Sequence, residues 1–457
     1  MEGSHSWSSA QTWKVCLGAT STRVRIPLPP PKAMVDAKLT EIIEDYQNIP
    51  NVPFMQKFTA GYIKDRLTNA NVPFEENPHV ILVKPSKPLG KKKLLIMAHT
   101  DHPGLIFKNS KHGQLLGLIG TKNIITYLDK NEVEVRVYNS NGNFIGKAKI
   151  NDIVAGPKQE VVIDANFSIP VNSIGMFDIE SYRENGDTLE LYNADDGLMT
   201  SILLYLITDK QLGNLYDIYA AFMKHEEVHQ VSSWWLAKTN YINLTKEDYV
   251  LNLECLKTES IDNEKYGEID YDGGAVLQLS NKGCLFGYKN PGDNQLELAI
   301  RQHANLLGLK LQIGVIKDSC DSRSFTQFGL TPNICTLTIP NKYKHNGADD
   351  GVIKSEEVNK EDISTCLQLV TSLTNTEVVV DSSVESISQK LKLDNTVTDE
   401  ALMHHKARLN GRLEIAYKAA LLRGYFYPQT IKDYIGDMFL KALSYIQYFL
   451  TSSSSKV

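Results

Sequence analysis

The chain has 457 residues, enough for two or three domains and a large buried core. Its net charge of -6 and charged fraction of 22% argue against a nucleic-acid binder, which carries a basic excess. No run of 18 apolar residues occurs, so no transmembrane helix is expected, and the six sparse cysteines, none in a C-x-x-C pair, fit a reduced, cytoplasmic setting.

Residues 1–33 differ in texture from the rest. They are rich in Ser, Thr and Trp and end in the proline-rich stretch Ile26–Pro31, without a long apolar segment. They read as a leader or tag rather than as a secretory signal, and the folded protein is expected to start near Met34. From Val35 to about Leu67 the pattern is helical, with Leu39, Ile42, Ile43 and Tyr46 at helix spacing. Leu94 to Ala98 is a short apolar run that leads straight into His99-Thr100-Asp101 and reads as a buried strand.

Between 107 and 188 the texture changes to short alternating stretches such as Val133 to Val137, separated by turn signals such as Asn139-Ser140-Asn141-Gly142-Asn143. This predicts a small inserted all-β domain. The α/β texture returns near Leu189. A helix is expected over Asp196 to Thr208, then a strand over Tyr216 to Met223 that ends at His225-Glu226-Glu227. A helix near Ser232 to Thr239 and a strand Tyr249 to Leu253, ending at Glu254, follow. Further on come a strand at Ala275 to Leu279, a helix at Gln295 to Leu307, strands at Leu311 to Ile316 and Asn333 to Ile339, and a closing helix over Glu356 to Thr374. Alternating strands and helices predict an α/β fold: a three-layer α/β/α domain with a mostly parallel sheet, built from 34–106 and 189–380. Residues 384–457 form a C-terminal extension with an apolar, helical rhythm over Leu413 to Leu450.

The candidate chemistry sits at strand ends, where open α/β sheets place ligands. His99 and Asp101 form an H-x-D: a neutral imidazole binds zinc well, and a carboxylate two residues on can orient it. Asp195 and Asp196 open a helix, so a plain capping role stands beside that of a carboxylate bridging two metals. Glu226 and Glu227 point in different directions at a strand end; a solvated charge pair is the bland alternative. Glu254 and His345 are single residues after strands, and taken one at a time each reads as a surface group.

Taken together, the order His, Asp, Glu-Glu, Glu, His is chemically coherent. One ion would take His99, Asp195 and Glu254, and the other Asp195, Glu227 and His345. Each would have nitrogen and oxygen donors and an open position, as catalytic zinc requires. No thiolate takes part, so Cys255 beside Glu254 reads as a packed thiol.

The segments "MAHTDHPGLIF", "NADDGLMTSILL", "KHEEVHQVSS", "VLNLECLKT" and "DSRSFTQFGLTPNICTLTIPNKYKHN" carry a resemblance. Over roughly Met34 to Thr374 the chain resembles the co-catalytic metallo-aminopeptidases of the glutamyl aminopeptidase and TET type. The 96 positions from His99 to Asp195 (195 minus 99) leave room for the small β domain which that family carries there. The 91 positions from Glu254 to His345 (345 minus 254) are filled by core elements. A dimerisation domain, which the related carboxypeptidases and dipeptidases insert at this place, does not fit there.

The resemblance implies that His99, Asp195, Glu227, Glu254 and His345 bind two divalent ions, zinc first with cobalt or manganese as alternatives. It also implies that Glu226 is the general base, that Asp101 orients His99, and that Asp321 lies near the substrate amine. The chain departs from the family at Gly197, where an Arg is common, at His229, where a Gly is common, and at Glu254, where an Asp is usual. The implied function is removal of N-terminal residues from short peptides by a homo-oligomer, without a nucleic-acid or membrane partner. A dipeptidase, an N-acyl amide deacylase and a non-catalytic homologue are the alternatives.

Overall fold

The computed structural model describes residues 35–378, except 118–125, 129–131, 155–159, 211, 258–268, 282–283, 286–293, 315, 317–318 and 349–350. The leader expected over 1–33 and the helical extension expected over 384–457 lie outside the described residues. None of the helices described is long and apolar enough to cross a membrane.

The chain enters through helix α1 (Ala37–Gln47). Asp36 caps it, its Oδ1 accepting the N–H groups of Lys38 and Leu39 at 3.1 and 3.0 Å. Leu39, Ile42, Ile43 and Tyr46 lie on one stripe and are buried. The expected helix to Leu67 is in fact two. Pro50 and Pro53 cannot continue it, and α2 (Lys57–Asn69) begins afresh beyond them.

The core is an eight-stranded sheet. Its strands are β1 (Phe74–Glu76), β2 (Val80–Val83), β3 (Lys93–His99), β12 (Asp217–Met223), β13 (Tyr249–Leu256), β14 (Ala275–Gln278), β17 (Leu311–Gly314) and β18 (Ile334–Pro340), in the order β1-β2-β12-β3-β13-β18-β14-β17. The four central strands, β12, β3, β13 and β18, run parallel. They are buried on both sides, so they read as continuous apolar runs. Along β3 the side chains alternate: Leu94, Ile96 and Ala98 join one core cluster, and Leu95 and Met97 the other. The first cluster also packs α1, α2, α3 (Gly197–Thr208), α5 (Gln295–Leu307) and α7 (Lys360–Asn375). The second packs α4 (Val231–Thr239) and α6 (Ser322–Phe328). Two helical layers thus cover the sheet.

After β3 the chain leaves for a closed barrel of β4 (Gly104–Asn109), β5 (His112–Leu116), β6 (Val133–Tyr138), β7 (Phe144–Val154), β8 (Glu160–Asp164) and β9 (Ile174–Phe177), in the order β4-β5-β8-β7-β6-β9. Its core is a separate cluster that includes Phe107, Val135, Val137 and Ile174. Two short strands, β15 (Ser280–Asn281) and β16 (Cys284–Leu285), make a hairpin.

A third sheet decides how the site is built. Strands β10 (Tyr182–Asn185), β11 (Thr188–Leu191) and β19 (Glu356–Asn359) pair antiparallel, with Leu191 opposite Glu356. The closing helix expected from Glu356 therefore starts late. Residues 356–359 are strand, Asn359 caps the helix by accepting the Glu361 N–H at 2.7 Å, and α7 begins at Lys360.

Candidate metal centre

His99 is the last residue of β3, and Met223 lies opposite it at the end of β12. Glu254 lies near the end of β13, opposite Thr338 of β18. Four adjacent parallel strands therefore deliver His99, Glu226-Glu227, Glu254 and, by the turn after β18, His345 to one sheet edge. Asp195 arrives from the loop between β11 and α3.

The His99 ring is 1% exposed. Its Nε2 lies 3.1 Å from Asp195 Oδ1 and 3.4 Å from Glu254 Oε1. Its Nδ1 lies 3.0 Å from the backbone oxygen of Asp101 and 3.5 Å from Asp101 Oδ1. At Nδ1 the nearer group is thus the Asp101 carbonyl, and at Nε2 it is Asp195 Oδ1. The Asp101 carboxylate, beside the ring at 3.5 Å, also spans the two glutamates, its oxygens accepting the N–H groups of Glu226 at 3.0 Å and Glu227 at 3.1 Å.

Asp195 is central. One oxygen faces His99; the other, Oδ2, lies 3.4 Å from His345 Nε2, which in turn lies 2.9 Å from Glu227 Oε1. Asp196 stands at the start of α3 without capping it, and its Oδ2 accepts the His99 N–H at 3.0 Å across the sheet edge. Asn193 does the capping, its side-chain oxygen accepting the Gly197 N–H at 2.9 Å. A Cβ on Gly197 would sit 2.7 Å from the Asn193 side chain, so any larger residue there requires Asn193 to shift. Gly117, at φ +74°, lets the barrel approach the site: a Cβ there would lie 3.0 Å from that of Glu227.

The Glu226 carboxylate offers an oxygen within 4.8 Å of His99 and Glu227 and has a partner of its own. Its Oε1 accepts a hydrogen bond from Gln230 Nε2 at 3.1 Å, and Gln230 also donates to Ser319 at 2.8 Å. His229 and Gln230 both adopt positive φ, +77° and +58°, which turns the chain so that Gln230 reaches back. Asp321, at the start of α6, is fully buried, and the Ser233 hydroxyl near it is turned to Gln230 and Ser324. His225 stands outside the set, packed on Phe54 at 5.1 Å.

The electrostatics show a pocket short of positive charge. Burial pushes the Glu254 carboxyl up to about 8 and Asp321 up to about 6, and it raises Glu226 well above the usual carboxylate range, with Glu227, Asp321 and Glu254 adding to the effect. Burial works against a charged His345, yet Glu227 and Asp195 outweigh it and raise the ring to about 10. Asp195, although buried, is held well below its ordinary value by Lys344, His345 and His99. Two divalent ions suit this deficit, because they keep carboxylates ionised and imidazoles neutral. The donor atoms agree. Asp195 Oδ2, Glu227 Oε1 and His345 Nε2 are buried without a well-formed hydrogen bond, and Asp195, Glu227 and His345 offer atoms within 4.8 Å of one another. His99 forms comparable groups with Asp196 and Glu254, and with Glu226 and Glu227.

Several contributors were not visible in the sequence. Glu356, fully buried, accepts N–H groups from Ala194 and Asp195 on one oxygen, at 2.5 and 2.9 Å, and from His345 on the other, at 2.7 Å. His102 lies between the Asp195 carbonyl, at 2.6 Å, and Asn346, at 3.0 Å. Lys344 Nζ lies 3.0 Å from Asp195 Oδ2.

Solved structures share this architecture. An aminopeptidase from the archaeon Desulfurococcus kamchatkensis aligns with a TM-score of 0.59 at 16% identity, over 75% of this chain and 95% of its own. The TET1 peptidase of Pyrococcus horikoshii, described as assembling into a tetrahedron or a large octahedral shell, gives 0.57 at 18%, over 74% and 100%. A TET aminopeptidase from a marine-sediment thaumarchaeon gives 0.59 at 13%, over 78% and 99%. The chain has the fold of the TET aminopeptidases. No protein-family model and no curated protein sequence matches it.

Proposed function

We propose that this protein is a metal-dependent aminopeptidase that removes N-terminal residues from short peptides. The observation that carries the reading is the Asp195 carboxylate, which stands between a His99–Glu254 pair on one oxygen and a Glu227–His345 pair on the other. That is the donor arrangement of a two-ion centre: His99, Asp195 and Glu254 would hold one ion, and Asp195, Glu227 and His345 the other, with zinc first and cobalt or manganese as alternatives. When bound, the ions supply Lewis acidity for a hydrolytic water and for the scissile carbonyl.

The chain's own residues do the rest. Glu226 ligates neither ion in this scheme; its carboxylate accepts the proton of the attacking water and returns it to the leaving amine. Gln230 holds that carboxylate in place through the bond to Oε1. Asp101 fixes the direction of Glu226 and Glu227 by receiving both backbone N–H groups. The buried Asp321 carboxylate is suited to receiving the substrate's α-ammonium group. The strand-end setting and the barrel packed beside Glu227 suit a site that admits chain ends. We extend to this chain the homo-oligomeric assembly described for the Pyrococcus horikoshii protein.

The test is to incubate metal-loaded protein with a short peptide and with its N-acetylated twin. Stepwise shortening of the free peptide alone is expected. Cleavage of the blocked peptide alone would replace this reading with that of an acyl-amide hydrolase.

A further inference from the structure

Lys344 places an ammonium group inside the acidic cluster, with its side chain only 11% exposed. Its Nζ lies 3.0 Å from Asp195 Oδ2, and the same oxygen lies 3.4 Å from His345 Nε2. Asp195 Oδ2 and His345 Nε2 both belong to the Asp195–Glu227–His345 trio. The other half of the centre differs in degree: the Lys344 charge also reaches Glu254, as the smallest of the effects on that carboxyl, but among the described residues the ion-pair partner of Glu254 is His99, at 3.4 Å. A divalent ion on Asp195 Oδ2 and an ammonium 3.0 Å from the same oxygen repel each other through a poorly screened interior, so an ion bound there works against the lysine contact and the contact works against the ion.

The asymmetry follows from local sequence. Lys344 immediately precedes His345, in a turn where Tyr343, His345 and Asn346 all have positive φ. This backbone carries both side chains to Asp195, so a tethered cation is built into one subsite.

We propose that Lys344 is an internal competitor for the Asp195–Glu227–His345 subsite, so that the two halves of the centre load unequally. The His99–Asp195–Glu254 half fills first, and the other fills only when the ammonium leaves Asp195 Oδ2. The ion-free site keeps its charge partly balanced by this lysine, and the second ion is the exchangeable one. The inference rests on the two-ion reading above.

The experiment titrates the full chain, stripped with a chelator and dialysed, with Co²⁺, reading calorimetric heat and the visible absorption of bound cobalt. Wild type is expected to bind in two phases separated by about tenfold or more in affinity. Lys344→Met keeps the aliphatic stem and removes the charge. It should tighten the second phase by about tenfold, the low end of outer-shell effects on metal affinity, and leave the first within about threefold. Lys344→Arg keeps the charge and should keep the gap. Circular dichroism and melting of each variant check its fold, and diffraction from wild-type crystals at limiting Co²⁺ should show the ion beside His99. Two equal wild-type phases, or a Lys344→Met second phase that does not move, would overturn the inference while leaving the two-ion reading intact. Failure of every variant to bind Co²⁺ would overturn both.

Discussion

Glu356 and Asp195 are 161 positions apart in the chain and are joined by a hydrogen bond of 2.9 Å from the Asp195 N–H to the Glu356 carboxylate. The other oxygen of the same carboxylate takes the His345 N–H at 2.7 Å. One buried side chain thus fixes the two loops that carry the shared ligand and the last histidine. It does so because β19 pairs with β11, which runs directly into the Asp195 loop. Glu356→Ala removes the acceptor for three N–H groups and leaves buried donors without partners. It should cost about 2–5 kcal/mol of stability and about tenfold or more in metal affinity. Denaturant unfolding of stripped protein and a metal titration measure both; no change in either would show that the two loops hold themselves.

Glu226 and Glu227 are neighbours with different partners, Gln230 for one and His345 for the other. Glu226→Gln should therefore retain its metal and its fold while losing about 10²–10⁴ in kcat. Elemental analysis beside steady-state kinetics checks the pair. Turnover close to wild type would remove Glu226 from the role of base.

Asp101 is expected to act through backbone geometry. In Asp101→Asn one carboxylate oxygen becomes an amide donor, which then faces the N–H of Glu226 or Glu227. The change should cost about 1–3 kcal/mol and weaken metal binding, even though the backbone carbonyl facing His99 survives. An Asn variant as stable and as well loaded as wild type would contradict this bracing role.

The pH dependence of the stripped protein has a definite direction. His345 rises from an ordinary 6.5 to about 10 on folding, so its pairing stabilises fully below about 6.5 and is lost as pH rises through 10. Burial raises Glu254 from 4.5 to about 8, so its contribution is present below about 4.5 and is lost as pH climbs through 8. As pH rises from about 6.5 to about 8, stripped protein therefore loses stability through both groups. Metal binding needs the imidazole neutral and the carboxyl ionised, so loading releases protons and strengthens across the same window. Melting in chelator and in zinc, at both ends of the window, should show a gap that widens with pH. A gap that narrows would reverse the assignment of these groups as ligands.

The strand-end residues were readable because each follows an apolar run. Leu94 to Ala98 points at His99, the strand through Met223 at the glutamate pair, and Val250 to Leu253 at Glu254. Period and burial locate such positions without any knowledge of what lies opposite. Residues that act by reaching across the fold carry no such mark. Glu356 opens what reads as a helix, and its role depends on the pairing of β19 with β11, a contact set by long-range topology. Lys344 looks like one more solvated lysine in a loop, and only the positive-φ turn brings it to Asp195. The proposed capping by Asp196 failed for a similar reason. Asn193 already satisfies the Gly197 N–H, which leaves Asp196 to take the His99 N–H.

The central claim is that Asp195 is shared by two metal ions, and counting ions tests it most directly. Elemental analysis of the purified full chain after equilibration with zinc should find about two ions per chain in wild type and a loss of both in Asp195→Ala. A single ion that survives Asp195→Ala, or no bound ion in wild type, would contradict the account.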